Sequence, residues 1–363
     1  MCLFPFTAYP NLEFQGIWTN RLQGFVFNEG QHYEQLRSRI DTNLYNKDQT
    51  WRLYFSGWYE EFNHFPNTFF KKQPFIIQEL YYETKTSEAS LIRMGVTALR
   101  WSESWLLPSL DVWTMRRWDR LFLEPFGETL IHPGGILFRT AHSPIEFDFF
   151  WQTHRPTSRL PVPLTVPTNG GNYQSYDPSN ATGIKAGFLS DLHRFSVVFK
   201  HDFSENKFDF GIDYSYPFDH LVFKSELGQT QNSEKFFSAG LDVFIEGLTI
   251  NPQITVVQKP TMTLSPQEQL LLYYLYLSKD MSKHNIELTV FVQENTDNYF
   301  LNFSWNLQWS KNLILSLITQ KYFGKENVLL VTSNQMNFSD FVGLRFEVPL
   351  AINHHRNSQH NTH

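Results

Sequence analysis

The chain of 363 residues carries a formal charge of −6, with 18% charged and 17% aromatic residues. That aromatic content excludes an intrinsically disordered chain, which lacks such side chains, and without a basic cluster no nucleic-acid partner is expected. The longest apolar run, Leu270 to Leu277, falls far short of the ~20 residues of a membrane-crossing helix, and the single cysteine, Cys2, excludes a disulfide framework and a cysteine-based zinc site. Residues 1–11 have no charged start and no sustained apolar stretch, so they read as a short leading segment rather than a signal peptide.

From residue 12 onward the pattern has period two. Leu12, Phe14, Gly16, Trp18 and Leu22 alternate with Glu13, Gln15, Thr19, Arg21 and Gln23. In 35–45, Leu36, Ser38, Ile40, Thr42 and Leu44 oppose Gln35, Arg37, Arg39, Asp41 and Asn43, and in 51–60, Trp51, Leu53, Phe55 and Tyr59 oppose Arg52, Tyr54, Ser56 and Glu60. Alternation of this kind marks strands with one apolar and one polar face. About eighteen such strands are expected, at 12–27, 35–45, 51–62, 74–84, 91–101, 134–142, 145–152, 182–189, 194–203, 207–216, 219–228, 235–245, 247–258, 267–278, 285–294, 298–308, 311–323 and 339–351. Most have the nine to eleven residues that a tilted strand needs to cross a bilayer.

The connections alternate as well. Every long one (63–73, 102–133, 153–181, 324–338) is odd in order, and the even ones are mostly short. Outer-membrane barrels have short periplasmic turns and long extracellular loops. The expected fold is therefore all-β: one transmembrane antiparallel up-and-down β-barrel over 12–351, of about eighteen strands, with sixteen or fourteen as fallbacks. A large soluble β-protein would also alternate, but it gives no reason for the loop parity. Residues 352–363, rich in histidine, read as a disordered tail and not as a metal site.

Within 91–120, Arg93, Gly95, Trp101, Ser102 and Glu103 precede Leu110-Asp111-Val112 and Arg116-Arg117-Trp118-Asp119. This run resembles the strand and following loop of the alginate-export-like and uncharacterised porin-like barrels of Gram-negative bacteria. Arg93, Gly95, Trp101 and Glu103 match their pattern, while Thr97 stands for the usual Gln and Ser102 for the usual Gly. The resemblance implies a monomeric outer-membrane barrel and transfers no substrate.

Parity places Arg93, Gly95, Thr97 and Trp101 on the luminal side, because an arginine facing lipid at the midplane costs ~2–4 kcal/mol. Loop 102–133 mixes Glu103, Asp111, Arg116, Arg117, Asp119 and Arg120 with Trp105, Trp113 and Trp118, so it is expected to fold inward as a constriction or plug. Arg37, Arg39, Asp41, Glu60, Glu79 and Glu83 join Arg93 as expected pore-lining residues. Arg37 and Arg39 are expected in open pore, and Arg93 beneath the loop.

Catalytic motifs are lacking: there is no His-x-Ser, GxSxG, HExxH or P-loop, and Asp219-His220 falls on a short turn. No enzyme, cofactor or metal is expected. The function expected is a porin-like channel for small hydrophilic solutes in the bacterial outer membrane, in contact with lipid and lipopolysaccharide. The alternative is a structural barrel, its pore occluded, that anchors or surrounds a protein partner in the lumen or at the external loops.

Overall fold

The computed structural model describes residues 12–27, 32–63, 75–99, 101, 113, 115–116, 130–157, 175–190, 193–229, 235–258, 269–293, 298–323 and 340–354. In chain order the strands are β1 (Leu12–Phe27), β2 (His32–Asn46), β3 (Trp51–Asn63), β4 (Phe75–Ser87), β5 (Ser90–Val96), β6 (Met115–Arg116), β7 (Leu130–Ile131), β8 (Gly134–His142), β9 (Ile145–Thr157) and β10 (Ser175–Leu189). They continue as β11 (Arg194–Asp202), β12 (Lys207–Phe218), β13 (Leu221–Gln229), β14 (Lys235–Ile245), β15 (Leu248–Gln258), β16 (Gln269–Met281), β17 (His284–Gln293), β18 (Asn298–Ser310), β19 (Leu313–Phe323) and β20 (Asp340–His354). No helix occurs among the described residues.

Eighteen strands form one antiparallel sheet, each paired with its sequence neighbours, and β6 with β7 forms a separate small ribbon. The sheet closes because β1 pairs with β20 as well as with β2, for example Arg21 with both Glu347 and Arg37. Closure removes the unpaired edges that so large an open sheet would expose. One rim carries eight turns of two to four residues, and the other carries connections as long as 97–133. Several tight turns use positive φ, as at Glu246 (46°) and Gly247 (76°), the type I′ geometry that suits the right-handed strand twist.

The faces are inverted relative to a soluble protein. Leu22, Leu36 and Met94 are 52%, 46% and 43% exposed, while their neighbours Gln23 and Arg37 are each 1% exposed. A water-soluble fold buries its apolar set and exposes its charges. Here the aliphatic and aromatic faces point outward and the polar faces point into the barrel, which argues for lipid outside and a polar lumen.

Three details depart from the sequence expectation. β5 ends at Val96, five residues early, because Gly95 has φ 127° and the Thr97 N–H donates to the Pro133 carbonyl at 3.1 Å instead of continuing the ladder. A Cβ at Gly95 would run into the Leu80 carbonyl. β10 starts at Ser175 rather than 182, its register shifting between Pro178 and Ala181. Finally, β4 bulges at Gln78, since Ser56 pairs with Glu79 but Gly57 with Ile77. The extra residue lets Gln78 and Glu79 both serve the luminal side.

Candidate functional site

The luminal wall from β20 through β1 to β8 is a ladder of guanidiniums and carboxylates. Arg21 meets Glu347 at 2.8 Å, Arg37 pairs with Glu60, and Arg39 meets Asp41 at 2.8 Å. Glu83 is shared, receiving Arg52 at 2.8 Å and Arg93 at 2.6 Å. Aromatic faces carry the same cations: Arg37 lies 4.5 Å from the centre of the Trp58 ring and Arg93 lies 4.2 Å from that of Tyr81. Cations on an aromatic face keep part of their stabilisation after losing water.

Opposite this ladder, β9 to β15 present an acidic wall with lysines set into it. Lys185 reaches Asp213 at 3.5 Å, Lys200 reaches Asp209 at 3.8 Å and Lys224 reaches Asp242 at 2.6 Å. The Ser196 hydroxyl donates to Asp213, and Asn251 donates to Asp242 at 2.7 Å. Asp213 and Glu226 stand directly opposite in register.

Burial is graded along the barrel. On β2, Gln35 and Arg37 near the long-loop rim are 0% and 1% exposed, whereas the Arg39 and Asp41 side chains keep 27% and 21% of their surface. Ile17, at a luminal position level with Asp41, is exposed. Along β2 the wall is thus more open near Arg39 and Asp41 than near the long-loop rim.

Part of that closure comes from the segment after β5. The Ala98 N–H donates to Glu79 at 3.0 Å as the chain leaves the wall. Trp101 donates its indole N–H to Asp148 at 3.2 Å, and its carbonyl accepts from the Lys185 ammonium at 3.0 Å. Trp113 packs edge-on against Trp101 and Phe150 with ring centres 5.4 and 4.9 Å apart, under the Lys200 ammonium at 4.7 Å. The hole that receives Trp113 is Gly183 on β10, where a Cβ would collide with the indole. His132, also buried, ends the segment before β8; burial pushes its imidazole down to about 4.

No family model and no curated protein matches this sequence. Solved structures do match in fold. The crystal structure of Pseudomonas aeruginosa OpdO aligns with TM-score 0.61 at 9% identity, over 94% of this chain and 97% of that one. Acinetobacter baumannii OccAB3 aligns with TM-score 0.60 at 9% identity, over 95% and 100%. Pseudomonas aeruginosa OccK5 (OpdH) aligns equally well, with TM-score 0.60 at 9% identity over 95% and 99%. The chain shares the fold of these solved structures, a closed antiparallel barrel of eighteen strands.

Within that barrel, seven of the residues singled out from sequence — Arg37, Arg39, Asp41, Glu60, Glu79, Glu83 and Arg93 — lie on the luminal wall of β2 to β5. The order of burial differs from expectation. Arg37 and Glu60 keep 2% and 0% of their side-chain surface, against 12% and 9% for Arg93 and Glu83, so Arg37 is the more enclosed. Arg116 lies on the small ribbon; Glu103, Asp111, Arg117, Asp119 and Arg120 lie outside the described residues. Sequence reasoning missed Arg21, Arg139, Asp148, Lys185, Lys200, Asp213 and Asp242. All sit at luminal parity on strands whose alternation was visible: Arg21 stands on the polar face of β1, and extending the parity test past β5 would have found the others.

Proposed function

We propose that this barrel sits in the bacterial outer membrane, bounded by lipid and lipopolysaccharide, as a passive channel for small hydrophilic solutes. The observation that carries the reading is the inversion of faces: an apolar outer wall around a lumen of paired guanidiniums, ammoniums and carboxylates. Rings of charged side chains of this kind select solutes by charge and size. Residues 102–133, anchored by Trp101 on one side and by Trp113 in the Gly183 hole, narrow the pore. The short stretch shared with alginate-export-like barrels includes Arg93, Gly95 and Trp101, the residues around which the chain leaves the wall, and it says nothing about the solute.

Reconstitution in a planar lipid bilayer tests the reading. Stable open steps in the wild type, enlarged on deleting 102–133, are expected. Silence of both proteins would overturn the channel and leave a scaffold barrel.

A further inference from the structure

At the long-loop rim of β13 to β16, the strand-terminal residues Gln229, Lys235, Gln258 and Gln269 stand beside one another in register, and all four are exposed. They share the outward parity of Leu227, Phe237 and Val256, which form the next row down the wall. One ammonium thus stands in a line of three carboxamides, directly above apolar surface.

Below that line the outer wall dips. Ala239, four residues along β14 from Lys235, and Pro252 on β15 are short, while Phe223, Leu241 and Tyr273 stand exposed around them. The result is an open depression of about 490 Å³, lined almost wholly by apolar surface and reaching Val290 on β17. At about 3.3 Å per residue, it begins about 13 Å from Lys235, within reach of an acyl chain whose headgroup rests at the rim.

We infer that this stretch of wall binds one phosphorylated glycolipid, the lipid A part of lipopolysaccharide: a phosphate at Lys235, sugar hydroxyls along the glutamines, an acyl chain in the depression. The inference deepens the outer-membrane reading above and rests on it, because that reading sets the long-loop rim in the outer leaflet. A lysine near the membrane surface attracts anionic headgroups, and the register neighbours of Lys235 are both amides rather than carboxylates. Carboxamides donate and accept at once, which suits a ring of hydroxyls better than a simple phospholipid headgroup. In lipid, where no hydrophobic force draws apolar surfaces together, a shaped surface holds a chain by close packing. The rest of the rim is less suited. On β2 and β3 it turns Glu34 and Glu61 outward, which repel phosphate, and Lys321 on β19 stands opposite Asp340.

The full chain, folded in detergent and titrated with bisphosphorylated lipid A, provides the test, with native mass spectrometry counting the molecules retained. One lipid A per chain is expected for the wild type. Lys235→Glu should weaken binding about tenfold, since it replaces an attraction for the anionic headgroup by a repulsion. Ala239→Phe, which fills the depression, should weaken it as well, and Lys321→Glu, the same charge change elsewhere on the rim, should leave it unchanged. Phosphatidylglycerol and lipid A stripped of its phosphates should both bind less tightly than intact lipid A. Equal binding by Lys235→Glu and wild type, an equal loss in Lys321→Glu, full binding by Ala239→Phe, or phosphatidylglycerol held as tightly as lipid A would each overturn the site. Insertion into vesicles with heat-dependent gel mobility checks the barrel separately. A chain that fails it overturns the membrane reading and the site with it; a barrel that passes and retains no lipid A overturns the site alone.

Discussion

Replacing Arg37 with methionine tests whether the upper wall is dry. Arg37 and Glu60 keep 2% and 0% of their side-chain surface, and the guanidinium also rests on Trp58 at 4.5 Å. Taking the cation away removes the guanidinium from the Glu60 carboxylate in a place that water does not reach, and breaking a buried pair from one side costs about 3–5 kcal/mol. Arg39→Met is the internal control. Its partner Asp41 is part-exposed and also accepts from the Ser56 hydroxyl at 2.6 Å, so the loss there is about 1 kcal/mol. Equilibrium unfolding by urea in vesicles, followed by tryptophan emission, reads both values from midpoint and slope. Replacing Arg37 and Glu60 together by methionine removes both charges, and the penalty should fall below about 1 kcal/mol, because apolar replacement of a buried pair is often neutral. An Arg37→Met barrel within about 1 kcal/mol of wild type would mean that water reaches Glu60. A double variant as damaged as the single one would mean that packing, rather than charge, holds this wall.

Trp113→Ala should cost about 3–5 kcal/mol by emptying the Gly183 hole and should raise single-channel conductance; unchanged conductance would remove residues 102–133 from the constriction. His132 folds neutral at about 4, while the unfolded chain takes up its proton near pH 6.5. Its contribution is therefore complete above pH 6.5 and is lost as pH falls toward 4, by about 3 kcal/mol in all; urea midpoints should track that loss in the wild type and not in His132→Phe. Met94 faces outward and is 43% exposed, so Met94→Arg should cost ~2–4 kcal/mol of folding free energy in vesicles, even though its neighbour Arg93 is an arginine at luminal parity.

Most of the architecture was legible because a barrel wall imposes one rule at every residue. The strand at 35–45 could be assigned its two faces from Leu36 and Arg37 alone, and the same alternation could be read in most of the strands that followed. What the rule does not encode is where a strand stops obeying it. Residues 91–101 keep alternating past Val96, yet the backbone turns away at Gly95, where a positive φ unavailable to most residues ends the ladder. Bulges are hidden for the same reason: inserting Gln78 shifts the parity of β4, and the pattern simply looks weaker. The site was half legible. Arg93 with Glu83 followed from adjacent strands, whereas the contact of Trp113 with Gly183 joins elements seventy residues apart, and a glycine on a luminal face gives no hint that a ring fills it.

The seam between β1 and β20 has a consequence for how the molecule is made. Nearly every other pairing in the barrel joins consecutive strands, the exception being β5 with β8 across residues 97–133, so hairpins can form one after another. The last pairing brings Phe14 against His354 and continues through fourteen residue pairs. For a free chain, closing a loop of that length costs on the order of 5 kcal/mol, and until it closes both edge strands stay open to pairing with other molecules. The incomplete sheet is thus adhesive until its final strand exists. Synthesis and assembly are coupled at this point: a chain cut before β20 loses far more than one strand's worth of contacts, because it loses the only step that ends its capacity to aggregate.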